Sequence, residues 1–177
     1  LVEDFKATLD PKEIQWREGH AYAYSQNIPY FPVTDLLRRA LRIEEGDPPP
    51  KIREKVASGI ELLVGKREDL IPHIGSLFGL SYPELEGTSP DSWKYLLHKA
   101  VQELLSALVK RAPTVICLED IHWADPSSIE LFRLLLSEGR HPALFLCMYR
   151  PPFALFPGHQ LGTLRDTYRE ILLHDLS

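Results

Sequence analysis

Residues 114–128 read Thr-Val-Ile-Cys-Leu-Glu-Asp-Ile-His-Trp-Ala-Asp-Pro-Ser-Ser, and this stretch decides the fold. Val115, Ile116, Cys117 and Leu118 form a short continuous apolar run, which is the pattern of a strand buried on both faces of a parallel sheet. The run ends on two neighbouring carboxylates, Glu119 and Asp120. Open α/β sheets bind ligands at the carboxyl ends of their strands. Two acids at that position suit a water-mediated Mg2+ contact and the polarisation of a water beside a nucleotide phosphate. Beyond them, Asp125-Pro126-Ser127-Ser128 has the chemistry of a helix start, with Asp125 as cap and Pro126 in the first turn, where its missing N–H costs nothing.

The segment Glu119-Asp120-Ile121-His122-Trp123-Ala124-Asp125-Pro126 behind the apolar run resembles the signature of STAND-type bacterial ATPases. These are AAA-like P-loop modules fused to class III adenylate or guanylate cyclases or to LuxR-type regulators. Trp-Arg-Glu-Gly at 16–19, Tyr-Ser-Gln-Asn-Ile-Pro-Tyr-Phe-Pro at 24–32, Asp35-Leu36-Leu37-Arg38 and Cys-Met-Tyr-Arg-Pro at 147–151 resemble the same family in the same order. The resemblance implies a three-layer P-loop NTPase-like α/β fold with a mostly parallel sheet and a Walker B strand at 114–120. It implies that Glu119 holds Mg2+ and that Asp120 orients or activates the attacking water. Arg150, at the end of a later strand, is implied to touch the γ-phosphate as a sensor, a role that suits a guanidinium. Many P-loop ATPases carry Asp first and Glu second; the reversed order here implies slow hydrolysis. The cofactors implied are ATP and Mg2+. The implied partners are ATP and a fused output domain, a cyclase or a DNA-binding regulator, outside these 177 residues, with self-association as a further expectation.

The phosphate loop of such enzymes, G-x-x-x-x-G-K-[ST] between a strand and a helix, surrounds phosphates with backbone N–H groups and a lysine. No segment here matches it. Val64-Gly65-Lys66-Arg67 comes nearest, but Ile60 stands where the first glycine belongs and Arg67 where a hydroxyl residue belongs. The opening Leu1-Val2-Glu3-Asp4-Phe5 resembles the helix that follows the loop. The expectation is therefore a partial NTPase domain over 1–177, truncated at the P-loop helix, with a helical insert at about 44–112. Alone, such a piece is expected to show no Mg·ATP binding, to hydrolyse no appreciable ATP and to be of low stability, the ATPase activity belonging to the full-length protein. The competing reading is a degenerate NTPase-like scaffold that mediates protein contacts without catalysis.

Hydrophobic residues at 44% and charged residues at 25% are ordinary for a globular chain. A net charge of -5 without a Lys/Arg cluster speaks against direct nucleic-acid binding. No stretch approaches the roughly 20 apolar residues of a membrane span, and no secretory leader is evident, so a cytoplasmic location is expected. Cys117 and Cys147 both sit in apolar runs and read as buried thiols. His20, His73, His98, His141, His159 and His174 show no metal-ligand spacing, which points away from a zinc site.

Periodicity and punctuation predict a helix over 1–9, a strand over 13–19 and an amphipathic helix over 33–43. Further helices are predicted over 51–64 and 67–78. A long helix starts at the Ser89 cap, with Trp93, Leu96, Leu97, Ala100, Val101, Leu104, Leu105, Leu108 and Val109 on its inner face. Strands are predicted at 114–120, 143–149 and 169–175, with helices at 126–137 and about 161–167. Such alternation argues for a parallel sheet with helical crossovers. Tyr22, Tyr24, Tyr30 and Phe31 are expected in the core and its packing.

Overall fold

The chain forms an α/β unit, and the computed structural model describes residues 1–137, 142–158, 164 and 167–173. Three parallel strands, β1 (Gln15–His20), β2 (Thr114–Glu119) and β3 (Ala143–Cys147), pair in the order β1-β2-β3. The apolar run therefore occupies the centre, where Thr114, Val115, Ile116, Cys117 and Leu118 are all buried. Parallel neighbours require crossovers. The β2–β3 crossover carries α6 (Pro126–Ser137). The β1–β2 crossover carries α2 (Phe31–Ala40), α3 (Pro49–Val64), α4 (Ile71–Ser76) and α5 (Pro90–Val109).

Strand residues alternate between the two faces of the sheet. Ile116 and Leu118 point into one continuous core with Leu36 and Leu37 of α2, Leu97, Val101 and Leu104 of α5, and Leu131, Phe132 and Leu135 of α6. Gly19 fixes the distance between β1 and α2. A Cβ there would lie 2.8 Å from the Pro32 carbonyl oxygen and 3.2 Å from the Leu36 Cβ, so only glycine allows this approach. The opposite face is covered by α1 (Val2–Thr8), which buries none of its own residues, and Leu144 of β3 is 48% exposed there.

Local chemistry explains the helix boundaries. Ser89 Oγ accepts the Ser92 N–H at 3.2 Å and Pro90 occupies the first turn of α5. Asp125 is buried at the start of α6; its Oδ1 accepts the Ser128 N–H at 3.0 Å and its Oδ2 the Ser128 hydroxyl at 2.5 Å. Between α2 and α3, Asp47 accepts the Glu44 N–H and pairs with Lys51 and Lys55 at 2.7 and 2.6 Å. Those two ammonium groups hold its carboxyl well below the usual carboxylate range.

Several sequence expectations need correction. The helix predicted at 67–78 is a 3-10 turn (Glu68–Leu70) running into the short α4. Leu96, assigned to the inner face of α5, is 40% exposed. No strand forms over the described part of 169–175, and Ile171, Leu172 and Leu173 are 70% or more exposed. Residues 174–175 of that expected strand, and most of the helix expected at about 161–167, lie outside the described residues. Among the four aromatic residues, Tyr30 is buried, whereas Tyr22 and Tyr24 are exposed and stack on each other with ring centroids 5.2 Å apart. Cys117 and Cys147 are both free thiols, Cys117 buried as expected but Cys147 only half-buried; desolvation pushes each up to about 12.

Candidate functional site

At the carboxyl edge of the sheet the three strands deliver their last residues side by side. Glu119 closes β2, and its register partner on β1 is His20. Asp120 follows in the left-handed backbone region, φ 52° and ψ 35°, and opens the 3-10 turn Ile121–Trp123. The turn is anchored to the end of β3, because the Ile121 N–H donates to the Met148 carbonyl at 3.0 Å and the Met148 N–H to the Leu118 carbonyl at 2.9 Å. Arg150 lies two residues beyond Met148 and is exposed. The residues singled out from sequence therefore share one edge of the sheet, on two loops joined by a backbone hydrogen bond.

Their side chains separate into two groups. Arg150 lines a pocket of about 500 Å3 with His122, Trp123, Pro151, Pro152 and Phe153. The His122 ring sits inside that wall, 4.9 Å from the Trp123 ring, and its buried Nδ1 has no hydrogen-bond partner. The nearest carboxylate oxygen to that nitrogen is Asp120 Oδ1 at 3.8 Å, beyond hydrogen-bond range. Asp120 itself is 53% exposed. Asp125 caps α6 and stands apart from this chemistry.

Glu119 belongs to the second group. Glu119 Oε2 and Glu18 Oε2 each lie 3.8 Å from His20 Nε2, and the three ligand atoms lie within 4.8 Å of one another. The other ring nitrogen, Nδ1, sits 2.9 Å from Asp35 Oδ2 on α2, whose carboxylate also accepts the His20 N–H at 3.2 Å. Arg39 flanks Asp35 at 3.4 Å. Lys6 of α1 donates to Glu18 Oε1, which together with the nearby charges holds the Glu18 carboxyl below its ordinary range against the opposing effect of burial. Tyr22 stacks on the His20 ring with centroids 6.0 Å apart.

Glu18 and His20 carry no signal in the sequence. They become neighbours of Glu119 only through the β1–β2 register, which no local pattern encodes.

The AAA ATPase domain family matches residues 1–147 of this chain. An uncharacterised protein of Rhizobium meliloti (strain 1021) is 34% identical over 70 residues, 37% of this chain and 6% of that protein. The chain thus spans a small fraction of the length of that relative. No solved structure matches. Among the described residues, no helix is long and apolar enough to cross a membrane.

Proposed function

We propose that this chain, which belongs to the AAA ATPase domain family, is part of an ATP- and Mg2+-dependent regulatory switch in a larger signalling protein of the STAND type. The observation that carries this reading is the position of two carboxylates at the carboxyl end of a fully buried central strand. That is where parallel α/β sheets present groups to a ligand.

The donor set suits the family's cation. Glu119 offers a half-buried carboxylate, and Mg2+ binds through one or two carboxylates while keeping several waters. Magnesium supplies charge neutralisation of the phosphates when bound. Asp120 is the water-orienting group, its exposed carboxylate standing at the turn just beyond the strand. Arg150 reads the terminal phosphate. Its guanidinium is exposed on the pocket wall with His122 and Trp123, and the Ile121–Met148 hydrogen bond joins its loop to the acids. A loop held by a phosphate contact and released on hydrolysis is a two-state element of the kind that switches a neighbouring domain. That neighbour would be a cyclase or a DNA-binding regulator. The three-layer partial domain, with residues 44–112 as a helical insert, and a cytoplasmic setting belong to the same proposal.

The test is Mg·ATP binding and phosphate release by the whole protein, with Asp120→Asn and Arg150→Ala. Asp120→Asn should slow phosphate release by roughly 100-fold or more while retaining nucleotide. Arg150→Ala should abolish the preference for ATP over ADP. Rates indifferent to both changes would replace this reading with the non-catalytic scaffold.

A further inference from the structure

We infer that Glu18, His20 and Glu119 form a binding site for a divalent transition-metal ion, Zn2+ or one of similar preference, with Asp35 orienting the imidazole. The site shares Glu119 with the nucleotide reading, whereas His20 and Glu18 come from β1 and have no assigned role in it.

The geometry argues from what each donor atom leaves free. Glu18 Oε1 is taken by the Lys6 ammonium, and Glu119 Oε1 faces the Cys117 thiol at 4.0 Å. The second oxygen of each carboxylate is turned to the same place, His20 Nε2, and each stops at 3.8 Å. That separation is too long for a hydrogen bond. It is close to the spacing of about 3.4 Å that donors take around a four-coordinate ion with bonds of about 2.0–2.2 Å. Asp35 Oδ2 at 2.9 Å from His20 Nδ1 favours the tautomer with its proton there, against the Arg39 Nη2 that also lies 3.3 Å from that nitrogen; in this tautomer the Nε2 lone pair faces the two carboxylates. A ring nitrogen backed by a carboxylate and facing a ligand set is the arrangement that fixes a metal-binding histidine.

The charges point the same way. Without a cation, two carboxylate oxygens converge on a lone pair, and all three repel one another. Lys6 pairs with Glu18, and Arg39 flanks Asp35 and also lies 3.3 Å from His20 Nδ1, so each offsets part of the negative charge from the side away from Nε2. A metal ion between the three donor atoms relieves the repulsion. Imidazole with two carboxylates selects a transition ion over Mg2+, whose preferred ligands are oxygens. Three protein donors leave a coordination position for water, because the cluster is only partly buried.

Zinc titration followed by calorimetry, with the protein free of nucleotide and Mg2+ in large excess, tests the site. A stoichiometric Zn2+ that Mg2+ does not displace is expected. Asp35→Asn should weaken it by roughly 10–100-fold, and Glu18→Gln and His20→Gln by more. Cobalt(II) in place of zinc should give a visible absorption band that His20→Gln abolishes, and circular dichroism of each variant reports folding separately. Absence of stoichiometric zinc, or affinity unchanged in His20→Gln and Glu18→Gln because the ion sits elsewhere, overturns the assignment. Either outcome leaves ATP binding untouched, while loss of ATPase activity in Asp120→Asn has no bearing on zinc.

Discussion

The two faces of the sheet are built on opposite principles. Toward the helices, Ile116 and Leu118 join a single apolar cluster drawn from five helices and the strands. On the other face, Trp16, Glu18 and His20 of β1 and Val115, Cys117 and Glu119 of β2 run from apolar at one end to charged at the other. There the cover is α1, with Phe5 against Trp16 at 6.2 Å and Lys6 on Glu18. Val115 and Cys117 are buried yet fall outside the main core. One face is packed with apolar side chains and the other gathers charged ones at its carboxyl end; the same strand serves both because its side chains alternate.

The largest effect should come from deletion on the helix side. Leu118→Ala removes a side chain that is 1% exposed and should cost about 3 kcal/mol by denaturant unfolding. Leu144→Ala on the other face should stay within about 0.5 kcal/mol. Equal losses would break the contrast. Gly19→Ala should cost about 1–3 kcal/mol, because its Cβ meets backbone in α2 rather than a movable side chain; thermal unfolding reads this. Asp125→Ala should cost about 1 kcal/mol through the lost cap of α6 and leave nucleotide affinity nearly unchanged. A large loss of ATP binding at constant fold would move Asp125 into the site.

The smallest expected effect is a pH slope. His98 of α5 is 6% exposed, and its Nε2 lies 3.0 Å from the Tyr30 hydroxyl, within hydrogen-bond range. Burial holds its folded pKa below the ordinary 6.5, so the unfolded chain binds the proton more readily. Stability should therefore be fully present above pH 6.5 and fall as the pH drops from there toward the lowered folded value. In His98→Gln that part of the slope should vanish; an unchanged slope from pH 7 to 5 would place its origin elsewhere.

Much of the helix-side half was legible in the sequence. Asp125-Pro126 and Ser89-Pro90 fix helix starts by local capping chemistry, so α6 and the start of α5 fall where that chemistry puts them. The apolar run of β2 admits one environment. Over 169–173 the expected strand is absent because three apolar residues make a strand only against a partner edge, and Ile171, Leu172 and Leu173 pair with no strand among the described residues. Tyr22 and Tyr24 were misplaced because an aromatic side chain reads alike in a core or in a surface stack. At the site, Glu119, Asp120 and Arg150 could be placed at the sheet edge from chain order and the carboxyl-end rule. Glu18 and His20 could not, since their approach to Glu119 is a fact of strand register.

The backbone at Asp120 gives the order of the two acids a conformational origin. With φ at 52°, position 120 favours glycine, asparagine or aspartate, whose short side chains tolerate the left-handed region, over a longer acid. Glutamate can occupy position 119, which is ordinary strand, whereas the turn selects aspartate next. The Glu-Asp order then suits how the chain leaves the sheet, and swapping the pair to Asp-Glu would put a longer side chain in the left-handed region.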